Sequence, residues 1–241
     1  MDGYTQKVVI SGDFLELYQY QKTILKGFQV TKDDIVKIKE KTTETITTNW
    51  QKSQFSLTRT RRNIRRLINA NLVMNKFLTL TFAENVCDID VANYEFKKFI
   101  ERLKYQYPTL DLKYLTVIEF QKRGAVHYHM VLNTPKIKAS KIAELWGNGF
   151  IKINEIKKCD NLGAYVSKYL SKESTERLYN RKKFFCSHNL ERPLEVVDKL
   201  LIDNLLEMYK IKDMKPRFET IIENDFIGKV AYYQFKLCLD T

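Results

Sequence analysis

Residues 113–132 of the chain read KYLTVIEFQKRGAVHYHMVL, and the fold prediction starts from this segment. Its two apolar runs flank Lys122-Arg123-Gly124, which is typical of a three-residue hairpin loop whose glycine adopts the left-handed conformation. Successive side chains of a strand point to opposite faces, so His127 and His129 share a face. The segment therefore predicts an antiparallel β-hairpin that aims two imidazoles at one point.

Glu119 completes a candidate metal site on this hairpin. With a three-residue loop, Glu119 faces His127 directly and lies diagonal to His129, with Cβ atoms about 5 Å apart across the strands. Two histidines and a carboxylate with open positions suit Mn²⁺ or Mg²⁺ in phosphate chemistry, although imidazole also binds zinc, nickel and cobalt. The alternative is that each histidine only hydrogen-bonds at a sheet face, and Glu119 across the turn favours the metal site.

Hydrophobic periodicity predicts the elements around the hairpin. Strands are expected at residues 77–82, 113–120, 125–132 and 150–155, and helices at about residues 91–106, 139–146 and 161–173. A further helix is expected from Ser56, a candidate N-cap, through SLTRTRRNIRRLINANL. Short strands, a tight turn and intervening helices predict an α+β fold, with a largely antiparallel sheet covered by helices.

The chain is expected to consist of three parts. Residues 1–50 begin with a β-hairpin around Ser11-Gly12-Asp13 and continue into a polar connection, and residues 51–190 contain the candidate site. Residues 191–241 are expected to hold a helix that begins near Pro193 and a final strand in IGKVAYYQFKL. The buried stripe predicted for that helix consists of Leu194, Val197, Leu201, Leu205 and Met208.

Basic residues are concentrated in one short segment. The 41 lysines and arginines exceed the 29 acidic residues by 12, and residues 51–76 contain seven basic and no acidic side chains. Such a localised positive field suits the phosphate backbone of a nucleic acid, although a basic run is also typical of a solvated helix face. The arginines of this predicted helix are Arg59, Arg61, Arg62, Arg65 and Arg66.

Other features of the sequence argue against several classes of protein. No apolar run approaches the roughly 18 residues of a membrane span, and the N-terminus lacks the pattern of a secretory signal. A cytoplasmic protein is therefore expected. The four cysteines are scattered without a CxxC pair, which argues against a zinc site and against a disulfide framework.

The segment GAYVSKYLSK, residues 163–172, places two tyrosines one helical turn apart. Tyr165 and Tyr169 would form one polar stripe with Lys168 and Lys172, three residues after each tyrosine. A phenol with a pKa near 10 needs a base, a cation or a polarised target to act as a nucleophile. The alternative is that both rings only pack against the sheet.

Three segments in this order resemble the signature motifs of the HUH endonucleases, in particular the rolling-circle replication initiators of bacterial plasmids and phages. They are FLTLTF, EFQKRGAVHYH and YVSKYLSK, and the resemblance covers about residues 56–190. It implies a five-stranded antiparallel sheet with the histidine strand at its centre. It also implies that His127 and His129 bind the metal with Glu119 as a third ligand.

The third motif resembles that of the two-tyrosine branch, as in initiators of small icosahedral single-stranded DNA phages. By position, Tyr165 corresponds to the nucleophile of single-tyrosine members, Tyr169 to a second nucleophile, and Lys168 to the lysine of the YxxK form. The implied enzyme nicks and rejoins single-stranded origin DNA through a 5′-phosphotyrosine ester, with Mn²⁺ or Mg²⁺ and no nucleotide.

The partners expected from this resemblance are a single-stranded replication origin, with a hairpin, and the helicase and polymerase of a bacterial host. Host enzymes are expected because the sequence contains no GxxxxGK[ST] phosphate loop. From charge alone, Lys172 and the five arginines of the basic helix are candidate DNA contacts.

Competing functions remain at this point. A transposase or a conjugative relaxase would use the same chemistry, but relaxases usually have three clustered histidines and only His188 is left here. A noncatalytic DNA-binding regulator and an RNA-binding sheet domain are the alternatives from other classes. The presence of Glu119, both histidines and both tyrosines favours a catalytic protein.

Overall fold

The computed structural model describes residues 3–26, 49–156, 161–178, 181–224 and 227–237. The chain forms two compact units, one of Asn49–Glu191 and one that combines Met1–Thr48 with Arg192–Thr241. Within the described residues, no helix is both long and apolar enough to cross a membrane.

The strands, in chain order, are β1 Gly3–Ser11, β2 Phe14–Leu25, β3 Lys76–Thr81, β4 Tyr114–Phe120, β5 Val126–Leu132, β6 Ile151–Glu155, β7 Phe184–Cys186, β8 Leu194–Val196, β9 Phe218–Asn224 and β10 Gly228–Lys236. The described helices are α1 Asn49–Asn69, α2 Ile89–Gln106, α3 Ala139–Trp146, α4 Leu162–Ser167, α5 Lys172–Arg177 and α6 Lys199–Met208, with a 3₁₀ turn at Ile211–Asp213. These elements form two five-stranded antiparallel sheets, which confirms the predicted α+β class.

The middle unit is built on the sheet β6-β3-β5-β4-β7, so the histidine strand β5 is central as expected. The predicted hairpin register is confirmed, because Glu119 pairs with His127 and Phe120 with Val126. The loop is closed by a 2.9 Å hydrogen bond from Gln121 N to Ala125 O. Gly124 has φ 91°, the left-handed region that glycine enters without steric cost.

Helices α2 and α3 cover one face of this sheet. Their apolar side chains pack with Leu80, Ile118, Met130 and the other inward residues of β3, β4 and β5. Tyr128 is fully buried in this cluster and donates a 2.8 Å hydrogen bond to Asn93 Oδ1. Burial also raises the pKa of the Tyr128 phenol, so this ring belongs to the core.

Helices α1 and α4 cover the opposite face, on which the histidines lie. Their buried residues pack with Leu115, Val117 and Val131 of the sheet. The expected start of α1 at Ser56 is wrong, since the helix begins at Asn49. Residues 49–55 contain no proline or glycine that would stop a helix from extending past Ser56.

The single helix expected at residues 161–173 is also wrong, because it is two short helices. Asn161 caps α4 by accepting from Ala164 N, and Ser171 caps α5 by accepting from Ser174 N. Between them, the amides of residues 168–170 bond to carbonyls three residues back, as in a tight 3₁₀-like turn. Serine favours such a cap over a helix interior, which explains why the helix ends and restarts here.

The second unit contains the sheet β8-β1-β2-β10-β9. The expected hairpin is confirmed, with Gly12 at φ 57° in its turn. The final strand expected in IGKVAYYQFKL is confirmed as β10, and its partner β9 was not predicted. Residues 3–26 and 192–237 thus share one sheet, and a cluster that includes Leu17, Ile202 and Phe235 lies on one of its faces.

The helix expected near Pro193 is wrong. Residues Leu194–Val196 form β8 instead, and α6 begins only after Asp198, whose side chain accepts a hydrogen bond from Leu201 N at 3.0 Å. An aspartate cap satisfies a free helix amide, which proline cannot do. The predicted buried stripe is therefore displaced, since Leu194, Leu201 and Met208 are more than half exposed while Ile202 is buried.

Candidate active site

The three predicted metal ligands meet on the β4–β5 hairpin. One donor atom each of Glu119, His127 and His129 lies within 4.8 Å of the other two. The histidines are nearly buried, with 9% and 6% of their surface exposed, whereas the Glu119 side chain is 34% exposed. The cluster is thus a partly enclosed set of two nitrogen donors and one oxygen donor.

Each ring nitrogen of His129 has a partner on a different neighbouring strand. Its Nδ1 lies 3.2 Å from Thr79 Oγ1 on β3, and its Nε2 lies 2.6 Å from Glu119 Oε2 on β4. Thr79 and His129 are directly paired in the sheet. A partner on Nδ1 fixes the ring so that Nε2 is presented to Glu119, the arrangement by which outer groups orient metal-binding histidines.

His127 has the environment expected of a neutral ligand. Burial, the neighbouring His129 and Arg123 lower the pKa of His127 to about 4, although Glu119 opposes the change. Its Nε2 is buried and, in the part of the chain that the structure describes, has no hydrogen-bond partner. A buried polar atom without a partner is costly, and a cation shared with Glu119 and His129 would satisfy it. The site therefore fits a divalent metal, and its identity is open.

The two tyrosines lie beside the metal-ligand cluster. The Tyr169 ring stacks on His129, with 3.9 Å between centroids and 24° between planes. The hydroxyls of Tyr165 and Tyr169 are hydrogen-bonded at 2.9 Å. Phe77 packs against both phenols and against His129, at centroid distances of 5.7, 5.6 and 5.9 Å. The tyrosine pair and the metal ligands thus form one continuous site.

The environments of the two phenols differ. Tyr165 is 44% exposed, whereas Tyr169 is half-buried. Burial, followed by the hydrogen bond with Tyr165 and the charges of Tyr165 and Glu119, raises the pKa of Tyr169 well above its usual range. Tyr169 therefore stays protonated at neutral pH, while Tyr165 presents its hydroxyl to solvent.

Other predicted site residues have a different placement. Lys168 is exposed at the C-terminal end of α4 and, among the described residues, has no side-chain bond to either phenol. The Lys172 side chain lies outside the described residues. Of the arginines on α1, Arg59 is exposed and lines an open groove of about 520 Å³ with Ser56, Thr60 and Asn63.

The remaining arginines of α1 are half-buried or buried. Arg66 is only 7% exposed. Arg62 and Arg65 are half-buried. Arg61 donates from Nε and a terminal nitrogen to the Leu170 carbonyl at 3.0 and 2.8 Å. The structure thus assigns Arg61 an internal contact and leaves Arg59 as the arginine of α1 most open to solvent.

Sequence reasoning missed two residues that shape this site. Thr79 holds His129 and Phe77 supports both tyrosines. Both belong to FLTLTF, whose alternation places Phe77, Thr79 and Thr81 on one face. The signal was present, but its use required the β3–β5 register, in which Thr79 pairs with His129 and Thr81 with His127.

Comparison with curated proteins and with solved structures finds no match. A family model does match part of the chain. The matched residues, 75–174, contain β3, the three metal-ligand candidates and both tyrosines. This segment is similar to the family of the replication-associated protein ORF2, which confirms the resemblance to rolling-circle replication initiators.

Proposed function

We propose that the chain is a metal-dependent endonuclease and strand transferase that nicks and rejoins single-stranded DNA through a phosphotyrosine ester. The observation that carries this proposal is the stacking of Tyr169 on His129, with the Tyr165 hydroxyl bonded to Tyr169. Two nucleophile candidates thereby lie next to a group of metal ligands. The match to a replication-associated family supports a role at a replication origin.

Glu119, His127 and His129 would hold the metal. A divalent ion bound there supplies Lewis acidity and orientation for a phosphate. The unpartnered Nε2 of His127 and the low pKa of this imidazole support the assignment, because a ligand histidine must be neutral. Mn²⁺ or Mg²⁺ suits the phosphate chemistry, and no nucleotide is required.

Tyr165 is the first nucleophile in this proposal, since its hydroxyl is the more exposed one. The protonated Tyr169 hydroxyl can donate to the Tyr165 oxygen and stabilise negative charge there. The Tyr165 oxygen bonds to phosphorus, the bond to the 3′ oxygen breaks, and a 5′-phosphotyrosine and a free 3′-hydroxyl result. Tyr169 is then available to accept a strand in a later transfer.

The DNA must be single-stranded or extruded at the site, because a base-paired strand would not enter a partly enclosed cluster. Arg59 and its groove are the proposed contact for the adjacent backbone. A hairpin at the origin and a helicase and polymerase from the host complete the proposed replication role.

Formation of the covalent adduct tests the proposal directly. The full chain would be incubated with Mn²⁺ and a pool of random-sequence, 3′-labelled single-stranded oligonucleotides, then separated under denaturing conditions. The label should remain with the protein, and EDTA should abolish this band. The double variant Tyr165→Phe with Tyr169→Phe should give no adduct. Tyr105→Phe, at a tyrosine that is 90% exposed, is the control.

The same experiment separates the proposal from its alternatives. Undiminished adduct in the double variant would exclude both tyrosines as nucleophiles. DNA binding without any adduct, with or without Mn²⁺, would favour a noncatalytic regulator. A transposase or relaxase would also form the adduct, and the family match favours replication over these.

A further inference from the structure

Helix α1 contacts the tyrosine segment, defined here as residues 161–171, at both of its ends. The first contact is at Gly163, where a Cβ atom would clash with the carbonyl oxygen of Arg65. Glycine is therefore required for α4 to approach the α1 backbone this closely. Asn69 Oδ1 accepts from Gly163 N at 3.2 Å, and Asn69 Nδ2 donates to the Asn161 cap at 3.3 Å.

The second contact is at the other end of the segment. Helix α4 ends at Ser167 and α5 begins at Lys172, so the carbonyls of the intervening turn lie at a break in the helix. Arg61 donates two hydrogen bonds to one of them, that of Leu170, at 3.0 and 2.8 Å. A guanidinium presents these donors in a rigid, planar fork, which holds the carbonyl in a defined position.

Both tyrosines lie between these two contacts. The Leu170 side chain is fully buried next to Tyr169, so the Arg61 bonds and the core fix the same residue from backbone and side chain. A loss of the Arg61 bonds would free the turn that carries Tyr169. The stacking on His129 at 3.9 Å and the hydroxyl contact with Tyr165 depend on that turn.

We propose that Arg61 is a positioning residue, which holds the tyrosine pair at the metal ligands through the Leu170 carbonyl and does not grip DNA. This inference rests on the proposed function, and it divides the arginines of α1 into two roles. Arg61 acts on the nucleophiles, whereas the exposed Arg59 acts on the DNA backbone.

The test compares Arg61→Ala and Arg61→Lys with Arg59→Ala in the full chain. With the labelled DNA pool and Mn²⁺, Arg61→Ala should lower kcat for adduct formation on the order of 100-fold, with KM nearly unchanged, since small displacements of a nucleophile cost that much. Arg61→Lys should recover part of the rate, because lysine keeps a donor for the carbonyl. Arg59→Ala should raise KM and make binding less salt-dependent.

Hydrogen exchange provides a second readout that does not need activity. In Arg61→Ala, amides of the tyrosine segment should exchange faster, while those of the central strand, residues 126–132, keep wild-type protection. Faster exchange in both regions would mean general unfolding, and Arg61→Lys would then decide by its kcat. Unchanged exchange in the tyrosine segment, or a raised KM at constant kcat, would overturn the proposal. If wild-type protein forms no adduct, the proposed function fails, and the exchange comparison still decides the role of Arg61.

Discussion

His129 is oriented from two sides, by Thr79 on one strand and by Glu119 on another. Thr79→Val keeps the shape of the side chain but removes the hydroxyl at Nδ1. The affinity for Mn²⁺ should then fall by about 10- to 100-fold, the usual cost of losing a group that orients a ligand. Isothermal titration of the metal-free protein measures this affinity.

The control for this prediction is Thr81→Val on the same strand. Thr81 Oγ1 donates to the Phe150 carbonyl at 2.7 Å and has no bond to a histidine. Its replacement should leave the Mn²⁺ affinity within about twofold of wild type, because the orienting contact to Nδ1 is intact. Equal losses in the two variants would mean that Thr79 acts only through the stability of β3.

His127 offers the buried nitrogen that has no partner among the described residues. His127→Ala should abolish measurable Mn²⁺ binding, because only one nitrogen donor and Glu119 would remain. The matched control is His188→Ala, which removes an exposed histidine outside the cluster. Titration calorimetry on both variants checks this, and binding by His127→Ala at wild-type affinity would contradict the assignment.

The extent to which the site could be predicted follows from sequence distance. Glu119 and His127 are eight residues apart across one tight loop, so alternation and loop length were sufficient to place them. Thr79 lies 50 residues from His129, and Arg61 lies 109 residues from Leu170. No local pattern links such pairs, since their contact depends on strand order and helix packing.

At the scale of elements, the β4–β5 hairpin depends on the conformation of its loop. Gly124→Ala would place a Cβ at φ 91°, and 3.3 Å from Cys87 Sγ. The free energy of unfolding should fall by about 1 kcal/mol or more, since side chains are strained in this region. Urea denaturation measures the change.

Lys122→Ala in the same loop is the control for the hairpin prediction. Lys122 is exposed and does not have a positive φ, so its replacement should change stability by less than about 0.5 kcal/mol. If Gly124→Ala is as stable as this control, the left-handed glycine is not required by the hairpin.

The helices show where local patterns are insufficient. Residues 139–146 were predicted as a helix and are one, since an apolar stripe and a following glycine mark both its face and its end. The break at residues 168–171 was missed because Tyr165, Val166, Tyr169 and Leu170 keep a helical spacing through it. Two capping side chains, Asn161 and Ser171, outweigh that periodicity.

At the scale of the whole molecule, both apolar clusters of the middle unit consist of residues between Leu57 and Leu190. A chain limited to residues 49–191 should therefore fold by itself and bind Mn²⁺ with the affinity of the full chain. Thermal unfolding followed by circular dichroism, together with titration calorimetry, tests this. Absence of a cooperative transition in the shortened chain would contradict it.

The second unit was the least predictable part of the fold. Its hairpin and its last strand were recognised from alternation within each segment. However, β2 pairs with β10, whose residues lie about 200 positions away, and β1 pairs with β8. Alternation indicates that a strand exists and does not identify its neighbour, so the shared sheet was not apparent.

That shared sheet has a consequence for synthesis of the protein on the ribosome. Strands β1 and β2 leave the ribosome long before β10 exists, with about 200 residues still to be translated. At about 5–20 residues per second, this interval is roughly 10–40 s. During it, both outer edges of the hairpin lack the strands that later cover them, and unpaired edges promote aggregation. The middle unit has time to fold first, so chaperone dependence should be concentrated in the N-terminal hairpin.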